Sequence, residues 1–398
     1  SRNQIILAGG KAQAFKGLAV KAGLEGSMVM MNAGEGYAGL GSYTETDVKG
    51  SAFRILSALF FIGNGALRYN GSAAIATAAS ILQIKLRESG SWSAATYQAG
   101  LSQPLAPTIA VRSILGTGMT GKLKAGTYSV KITKIRSATG VRSLASSMSN
   151  VAVVEGTTGR SMRITFPAIG ANGADYWGVY VSAKSFGSTG PHYFLQEIAE
   201  ADLTTVDGVA RSYEIEWSDG NLVGSDLAPI DSYVPPSGIF AGSLGDTAFI
   251  DGCYSNVGDS EVTSSDAGST ICVSLPLHPE EYPPDFQLYP PEAPTALIRG
   301  GDGFYYRFGK STMGVISYVG GEPALAFQLM WPTTGITYPH NAVVGTGGRV
   351  YAKSGNNLVR IGSNGEPETE WAAPVADEMA ALTDIGTVLG WDSSSHSL

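Results

Sequence analysis

The sequence predicts an all-β chain: a platform of repeated antiparallel hairpins with a two-sheet β-sandwich inserted into it. Three observations lead there. Hairpin-like runs recur in the last third, at 296–306 with 313–319, at 342–351 with 358–361, and from Ala381 onward. Their starts are 46 and 39 positions apart (296 to 342, 342 to 381), a spacing that suits the blades of a β-propeller. Next, 52 glycines and 19 prolines fall between short apolar runs with no collagen period, as expected of a turn-rich β protein. Finally, a Pro-bounded central stretch holds strands in which every second side chain is apolar.

Residues 1–103 read as blade-forming. Leu59-Phe-Phe-Ile62, the turn Gly63-Asn64-Gly65 and Ala66-Leu-Arg-Tyr69 give a hairpin signal. Residues 73–80 are Ala-rich and suit a short helix, whereas 81–86 alternate like a strand. Pro104 and Pro107 lack amide donors and stiffen an extended joint. Strands are then expected at 108–115, 126–133, 161–166, 176–181, 193–198 and 213–217. In the second of these, Tyr128, Val130 and Ile132 would line one buried face. Six or seven strands in roughly 115 residues fit an immunoglobulin- or fibronectin-like sandwich. A second joint at Pro229, Pro235 and Pro236 returns the chain to hairpins from 244 onward. The predicted divisions are therefore 1–103, an inserted sandwich over 104–227, and propeller blades over 228–398. The last blade reads as incomplete at Asp392-Ser-Ser-Ser-His-Ser-Leu398, so that further sequence or another chain would complete it.

The net charge of −8 hides an asymmetry: residues 1–227 hold 20 basic and 15 acidic groups, and residues 228–398 hold 6 and 19. No acid lies between Glu88 and Glu155, where Arg112, Lys122, Lys124, Lys131, Lys134, Arg136 and Arg142 fall. The plain expectation is a solvated strand face with its loops. The sharper one is a contact surface for an acidic neighbour, such as the acidic half of another copy. These bases are neither interleaved with aromatics nor set on a reading helix, which argues against nucleic-acid recognition. Cys253 and Cys272 are too few for a disulfide framework and belong to no Cys/His ligand cluster, so buried thiols and no metal are expected. The first ten residues do not read as a secretion signal, and no run of about 20 apolar residues suits a membrane helix.

Several strings invite chemistry. Gly116-Thr-Gly118-Met-Thr-Gly121-Lys122 matches G-x-G-x-x-G, but a strand is predicted where a phosphate-binding helix must begin; a Gly-rich hairpin loop is expected instead. Phe308-Gly309-Lys310-Ser311 ends like a P-loop, yet Phe304 stands where the first glycine is required. Ser264-Ser-Asp266-Ala-Gly268-Ser-Thr270-Ile271 resembles the Asp-box turn of sialidase-type propellers, with Ile271 in place of the closing aromatic. That turn is structural, since its Asp bonds nearby amides. His192, His278, His340 and His396 show no metal-ligand spacing, and the first three lie beside or near prolines in expected loops. Glu280 and Glu281 are adjacent, and neighbours on an extended chain point oppositely, so they cannot jointly flank a glycosidic bond; solvated loop acids are expected. Trp92, Trp177, Trp217, Trp331, Trp371 and Trp391 could stack on sugars, but strand patterns place most of them in cores. No catalytic, cofactor-binding or metal-binding residue is assigned.

Four passages carry a family resemblance: Ser274-Leu-Pro-Leu-His-Pro-Glu-Glu-Tyr-Pro283 ahead of the 296–319 hairpins, Tyr97-Gln-Ala-Gly-Leu-Ser-Gln-Pro-Leu-Ala-Pro107, Gly126-Thr-Tyr-Ser-Val130 with Arg136-Ser-Ala-Thr-Gly140, and Ala174-Asp-Tyr-Trp-Gly-Val-Tyr180. Together they resemble bacteriophage tail structural proteins, specifically the nozzle or distal tail-tube components of short-tailed phages. The resemblance implies a β-propeller with an inserted immunoglobulin-like domain, no enzyme activity and no cofactor. It implies a homo-oligomeric ring, usually six-fold, around the DNA exit channel. The implied partners are other copies, other tail proteins (adaptor, fibre or needle) and genomic DNA passing without specific binding. The implied location is the virion tail, after assembly in the bacterial host cytoplasm. An acidic channel wall would keep phosphate from adhering, because strong phosphate binding needs Lys and Arg. The alternatives are a carbohydrate-binding or polysaccharide-degrading propeller of a receptor-binding tail component, or a secreted bacterial adhesion module.

Overall fold

A computed structural model of the chain describes the strand backbones within 1–55, then residues 58–63, 82–88, 91–92, 97–112, 120–154, 160–183, 190–230, 234–253, 268–337, 341–345, 348–355, 357–361 and 367–368. The chain forms two compact units, Ser1–Ala99 together with Pro235–Leu398, and Gly100–Val234. These divides lie a few residues from the predicted joints, because Gly100–Gln103 run with the sandwich and the chain up to Val234 does the same. Gln103, for example, donates through Nε2 to the Ala145 carbonyl at 2.6 Å.

In the first unit, Ile5–Leu7 (β1), Glu25–Asn32 (β4) and Gly36–Thr44 (β5) share a sheet, and the hairpin Ala14–Phe15 (β2) with Leu18–Ala19 (β3) intervenes in sequence. Gly50–Ile55 (β6), Ala58–Gly63 (β7), Gln83–Glu88 (β8) and Tyr97–Gln98 (β10) form an antiparallel sheet, and Ser91–Trp92 (β9) pairs β8. The predicted partner of β7, residues 66–69, lies outside the described residues. Here β7 pairs β6, with Arg54 opposite Leu59, and β8, with Lys85 opposite Leu59. The Ala-rich stretch 73–80, the repeat starting at Ala381 and the terminal 392–398 also lie outside the described residues.

The second unit contains Thr108–Arg112 (β11), Gly126–Arg136 (β12), Val141–Arg142 (β13), Ser149–Val153 (β14), Ser161–Thr165 (β15), Tyr176–Ser182 (β16), His192–Ala199 (β17), Thr204–Val206 (β18) and Val209–Ile215 (β19). One sheet runs β11-β15-β19-β18; the other runs β13-β12-β16-β17, with β14 also on β12. The predicted inward face is present: Tyr128, Val130, Ile132, Trp177, Val179 and Val181 of one sheet pack on Met162, Ile164 and Ile215 of the other. The strand order, however, is not that of an immunoglobulin domain, where the first two strands are neighbours in one sheet. Here β11 and β12 enter opposite sheets. Nor is the outer face of β12 solvated. Ser129, Thr133 and Ile135 are buried there, because the stretch around Ala145 and Ala228 lies over Tyr180 and Phe194. Lys134 and Arg136, in register with the inward Tyr128 and Val130, are buried as well.

Among the described residues, the first unit resumes with three four-stranded antiparallel meanders. Phe240–Leu244 (β20), Thr247–Cys253 (β21), Thr270–Val273 (β22) and Gln287–Leu288 (β23) form one, and Ala296–Arg299 (β24), Tyr305–Phe308 (β25), Met313–Tyr318 (β26) and Leu325–Trp331 (β27) the next. Ala342–Val344 (β28), Val350–Ser354 (β29), Asn357–Ile361 (β30) and Pro367–Glu368 (β31) form the third. These sheets stack face to face. Leu244, Phe249, Ile271 and Val273 meet Tyr305, Ile316 and Leu325, while Ala296, Tyr306, Phe308, Met313 and Val315 meet Val350, Ala352, Val359 and Ile361. Tyr305 and Tyr306 thus point to opposite neighbours, as period-two geometry dictates. The leading strands β24 and β28 lie beside each other, as do β6 and β20. This is the blade stacking of a propeller-type fold. It explains why β20, β21 and β22 do not alternate: covered on both faces, they are buried throughout.

Candidate functional site

The two loops that resemble phosphate cradles both hold a carboxylate of the chain itself. In the first, Glu216 follows β19 and turns toward the end of the Gly116–Lys122 string, of which residues 120–122 are described. Its carboxylate accepts from the amides of Thr120 (2.9 Å), Gly121 (2.5 Å) and Lys122 (3.1 Å) and from the Thr120 hydroxyl (2.7 Å). Successive amides pointing at one anion form a nest. Burial pushes the Glu216 carboxyl up, but the Thr120, Lys122 and Gly121 donors outweigh it and hold it below its ordinary value. The amides of 120–122 make an anion-binding nest where the sequence predicts only a plain hairpin loop, and Glu216 occupies it.

The second loop, Gly309-Lys310-Ser311-Thr312, joins β25 to β26. Glu292, which precedes β24, accepts from the amides of Ser311 (3.0 Å) and Thr312 (2.6 Å) and from both hydroxyls, that of Ser311 at 3.1 Å. Burial raises this carboxyl, and the Thr312 and Ser311 donors more than reverse the effect. Gly309 permits the approach, because a Cβ there would intrude on the Glu292 carboxylate. Neither loop leads into a helix, so the amide donors lack the aligned dipole of a nucleotide site.

Between two blades lies the most deeply buried ion pair among the described residues. Asp251 of β21 and Arg307 of β25 are 0% and 1% exposed. The Arg307 Nε lies 3.0 and 2.9 Å from the two Asp251 oxygens, and its Nη2 reaches the carbonyls of Glu292 (2.7 Å) and Ser269 (3.3 Å). Asp251 also accepts from the Gly252 amide at 2.7 Å. The Arg307 guanidinium stands 5.7 Å from the Phe327 ring centroid. Burial pushes the Asp251 carboxyl up to about 6 despite Arg307. Nearby, Cys253 and Cys272 are buried free thiols. Burial and the neighbouring Cys272 push the Cys253 thiol up, which suppresses the thiolate and its reactivity. Tyr282 packs by them with a buried hydroxyl that lacks a partner. Glu280 corrects one expectation. It is 1% exposed, not solvated, and Glu281 is half-buried, with an oxygen 3.8 Å from His278 Nδ1.

His192 also departs from expectation. It is not in a loop but opens β17, buried, with Nε2 2.8 Å from the Ser129 hydroxyl on β12. Burial, then the Lys131 charge, lowers it to about 4, so it is neutral at pH 7. Ser129 is 0% exposed, out of reach of a substrate, and the pair acts as an internal tie. Nothing in the sequence flagged it, since the two residues are 63 positions apart. His340 and His396 lie outside the described residues, as do Ser264, Asp266, Trp371 and Trp391. Trp177 and Trp217 are buried and donate to Glu200 (2.6 Å) and the Ser182 carbonyl (3.3 Å); Trp331 is half-buried. Among the described residues, no three His, Cys, Asp or Glu side chains are grouped as a metal would need.

Three of the seven bases of the run pair with acids of the sandwich. Arg112 pairs with Asp207 (2.7 Å) and Glu214, Arg142 with Glu197 (2.5 Å), and Lys122 approaches Glu216 at 3.9 Å. Arg136 is buried. Burial lowers the Lys134 ammonium below its usual value. Counted by unit, Gly100–Val234 holds 11 bases and 11 acids, and residues 235–398 hold 6 and 18. The sandwich is therefore neutral, and the acid excess belongs to the blades.

No protein-family model and no curated protein matches the chain. Solved structures that show a similarity include two of low identity. A putative 6-phosphogluconolactonase from Bacteroides uniformis shares 8% identity over 88% of this chain and 80% of that one, with a TM-score of 0.29. A streptogramin B lyase shares 14% identity over 65% of this chain and 86% of that one, with a TM-score of 0.22. Likeness at this level says nothing of activity, and the blade assignment rests on the stacked four-stranded sheets themselves.

Proposed function

We propose that this chain is a structural, non-catalytic subunit of a bacteriophage tail, of nozzle or tube type, whose copies form a ring around the DNA exit channel. The resemblance of residues 97–107, 126–140, 174–180 and 274–319 to that family motivates the reading. One structural observation supports it: among the described residues, two amide nests and a buried ion pair are closed by the chain's own groups. Glu216 and Glu292 fill the two amide nests, and Asp251 with Arg307 ties one blade to the next. Such closures stiffen a wall. The acid excess of residues 235–398 suits a surface past which DNA slides without adhering. Light scattering and averaged electron micrographs of the purified chain, with immunodetection in purified virions, test the proposal. A multi-copy ring present in virions is expected. A single-copy particle absent from virions overturns it, and turnover of a bacterial polysaccharide by the pure chain overturns its non-catalytic part.

A further inference from the structure

We infer that an apolar strip on the sandwich, made by Leu105, Met148, Leu227 and Ile230, is a contact surface for a second copy of this chain. The inference rests on the ring reading above and names where two copies meet. Three segments of the second unit run side by side. Gln103 Nε2 donates to the Ala145 carbonyl at 2.6 Å, the Ala145 amide donates to the Pro229 carbonyl at 3.3 Å, and the Ser149 hydroxyl donates to the Pro107 carbonyl. The third segment is pinned to the β17 edge through Phe194 to Asp226 (2.7 Å) and Ala228 to His192 (2.8 Å). On this bonded base the inward residues Pro104, Pro107, Ala145 and Ala228 are buried. The outward Leu105, Met148, Leu227 and Ile230 are 77%, 44%, 60% and 82% exposed. Scattered exposed aliphatics are ordinary; four on adjoining, mutually bonded segments mark an interaction surface.

Charge selects the occupant. The segments 102–107, 144–149 and 225–230 contain no Lys or Arg and a single acid, Asp226. An acidic partner or a nucleic acid finds no bases there, and a basic partner finds one carboxylate. Two copies meeting through the 235–398 blades would oppose like charge, since 18 acids there face 6 bases. Two copies meeting through the balanced sandwich would not. Four aliphatic side chains fall short of the roughly 800 Å² per partner of a stable interface, so the strip is the apolar centre of a larger contact. Ser102, Gln103 and Ser147, all exposed, supply part of its polar rim.

The test measures particle mass by light scattering for the full chain and for Leu105→Asp, Ile230→Asp and the milder Ile230→Ser, with Val154→Asp as an equally exposed control off the strip. The inference expects a multi-copy wild type whose dissociation midpoint rises about tenfold or more with each strip substitution. Thermal transitions should be unchanged, and Val154→Asp should keep the wild-type mass. Full wild-type mass in all three strip variants overturns the inference and leaves the ring reading standing. A single-copy wild type at every concentration overturns the ring reading itself. Equal loss of mass in Val154→Asp overturns the inference, because any surface charge would then suffice.

Discussion

The blades and the sandwich are both antiparallel, yet the deepest ion pair of the blades is far more buried than the rim pairs of the sandwich. The last described blade also carries an exposed pair, Arg360 with Glu368 at 29% and 43%, and the sandwich a more buried one, Arg112 with Glu214 at 12% and 11%. In the blades, Asp251 and Arg307 sit at 0% and 1% exposure between two stacked sheets. In the sandwich, Arg142 and Glu197 pair at the rim with side chains 34% and 42% exposed, and Arg211 with Glu200 at 38% and 26%. The geometry of stacking accounts for the difference. A sheet covered on both faces has no solvated side, so a charge on it is buried and needs a buried partner. A two-sheet sandwich keeps an outer surface at which ion pairs remain hydrated and weak.

The largest effect that would break this contrast comes from Arg307→Met. It strands a buried carboxylate, and urea denaturation should show a loss of about 3–5 kcal/mol. The double variant Arg307→Met with Asp251→Leu should recover most of it, since an apolar pair of similar volume leaves no charge unpaired. Arg142→Gln in the sandwich should cost under about 1 kcal/mol. Equal costs for Arg307→Met and Arg142→Gln would mean that water reaches between the blades.

The next effect sharpens the contrast through pH. His192 in the sandwich is lowered to about 4, so between about 6.5 and 4 the unfolded chain takes up the proton and the sandwich loses stability as pH falls. Asp251 in the blades is raised to about 6. Its protonation favours the folded state, so its contribution is present below the ordinary Asp value and is lost as pH rises through about 6. Each amounts to about 3 kcal/mol. Acidification from 7 to 5 should weaken the sandwich relative to the blades, and His192→Asn should flatten the sandwich response. Fluorescence of the buried Trp177 and Trp217 reports the sandwich transition. Parallel pH slopes in wild type and His192→Asn would refute the assignment to His192.

Much of the blade architecture was legible because each blade is a local meander, with turns at Gly300–Gly303 and Gly320–Gly321 separating strands that pair with the next in sequence. The sandwich was legible as strands but not as an order, since its pairings are distant: β12 pairs β16, and β15 pairs β19. Taking β15 to β19 as strands B, C, C′, D and E of an immunoglobulin sandwich, β11 falls at A, β12 at F and β14 at G. The neighbours correspond, with F and G moved ahead of B. Tyr128, near the start of β12, bonds through its hydroxyl to the Lys124 amide and carbonyl at 3.2 and 3.1 Å. The buried Trp177 lies on β16. Both then stand where that fold keeps a corner tyrosine and a strand-C tryptophan. The nests were half legible: glycines marked the loops, but nothing local pointed to Glu216, 96 positions from Thr120, or to Glu292, 20 from Thr312.

The smallest effects compare those two nests, one in each unit. Gly309→Ala should cost about 1–3 kcal/mol, because a methyl group there displaces the Glu292 carboxylate from its donors. Glu292→Gln and Glu216→Gln should each cost about 1 kcal/mol, since an amide oxygen still accepts but the charge assistance is gone. Because both carboxyls are held below their ordinary values, the stability they contribute is present above the unfolded carboxyl value and fades as pH falls through the lowered one. The Gln variants should therefore differ from wild type near neutrality and converge with it in acid. A difference that persists in acid would mean that the carboxylate charge is not what the amides hold, and that each loop keeps its shape through its hydroxyl and backbone bonds alone.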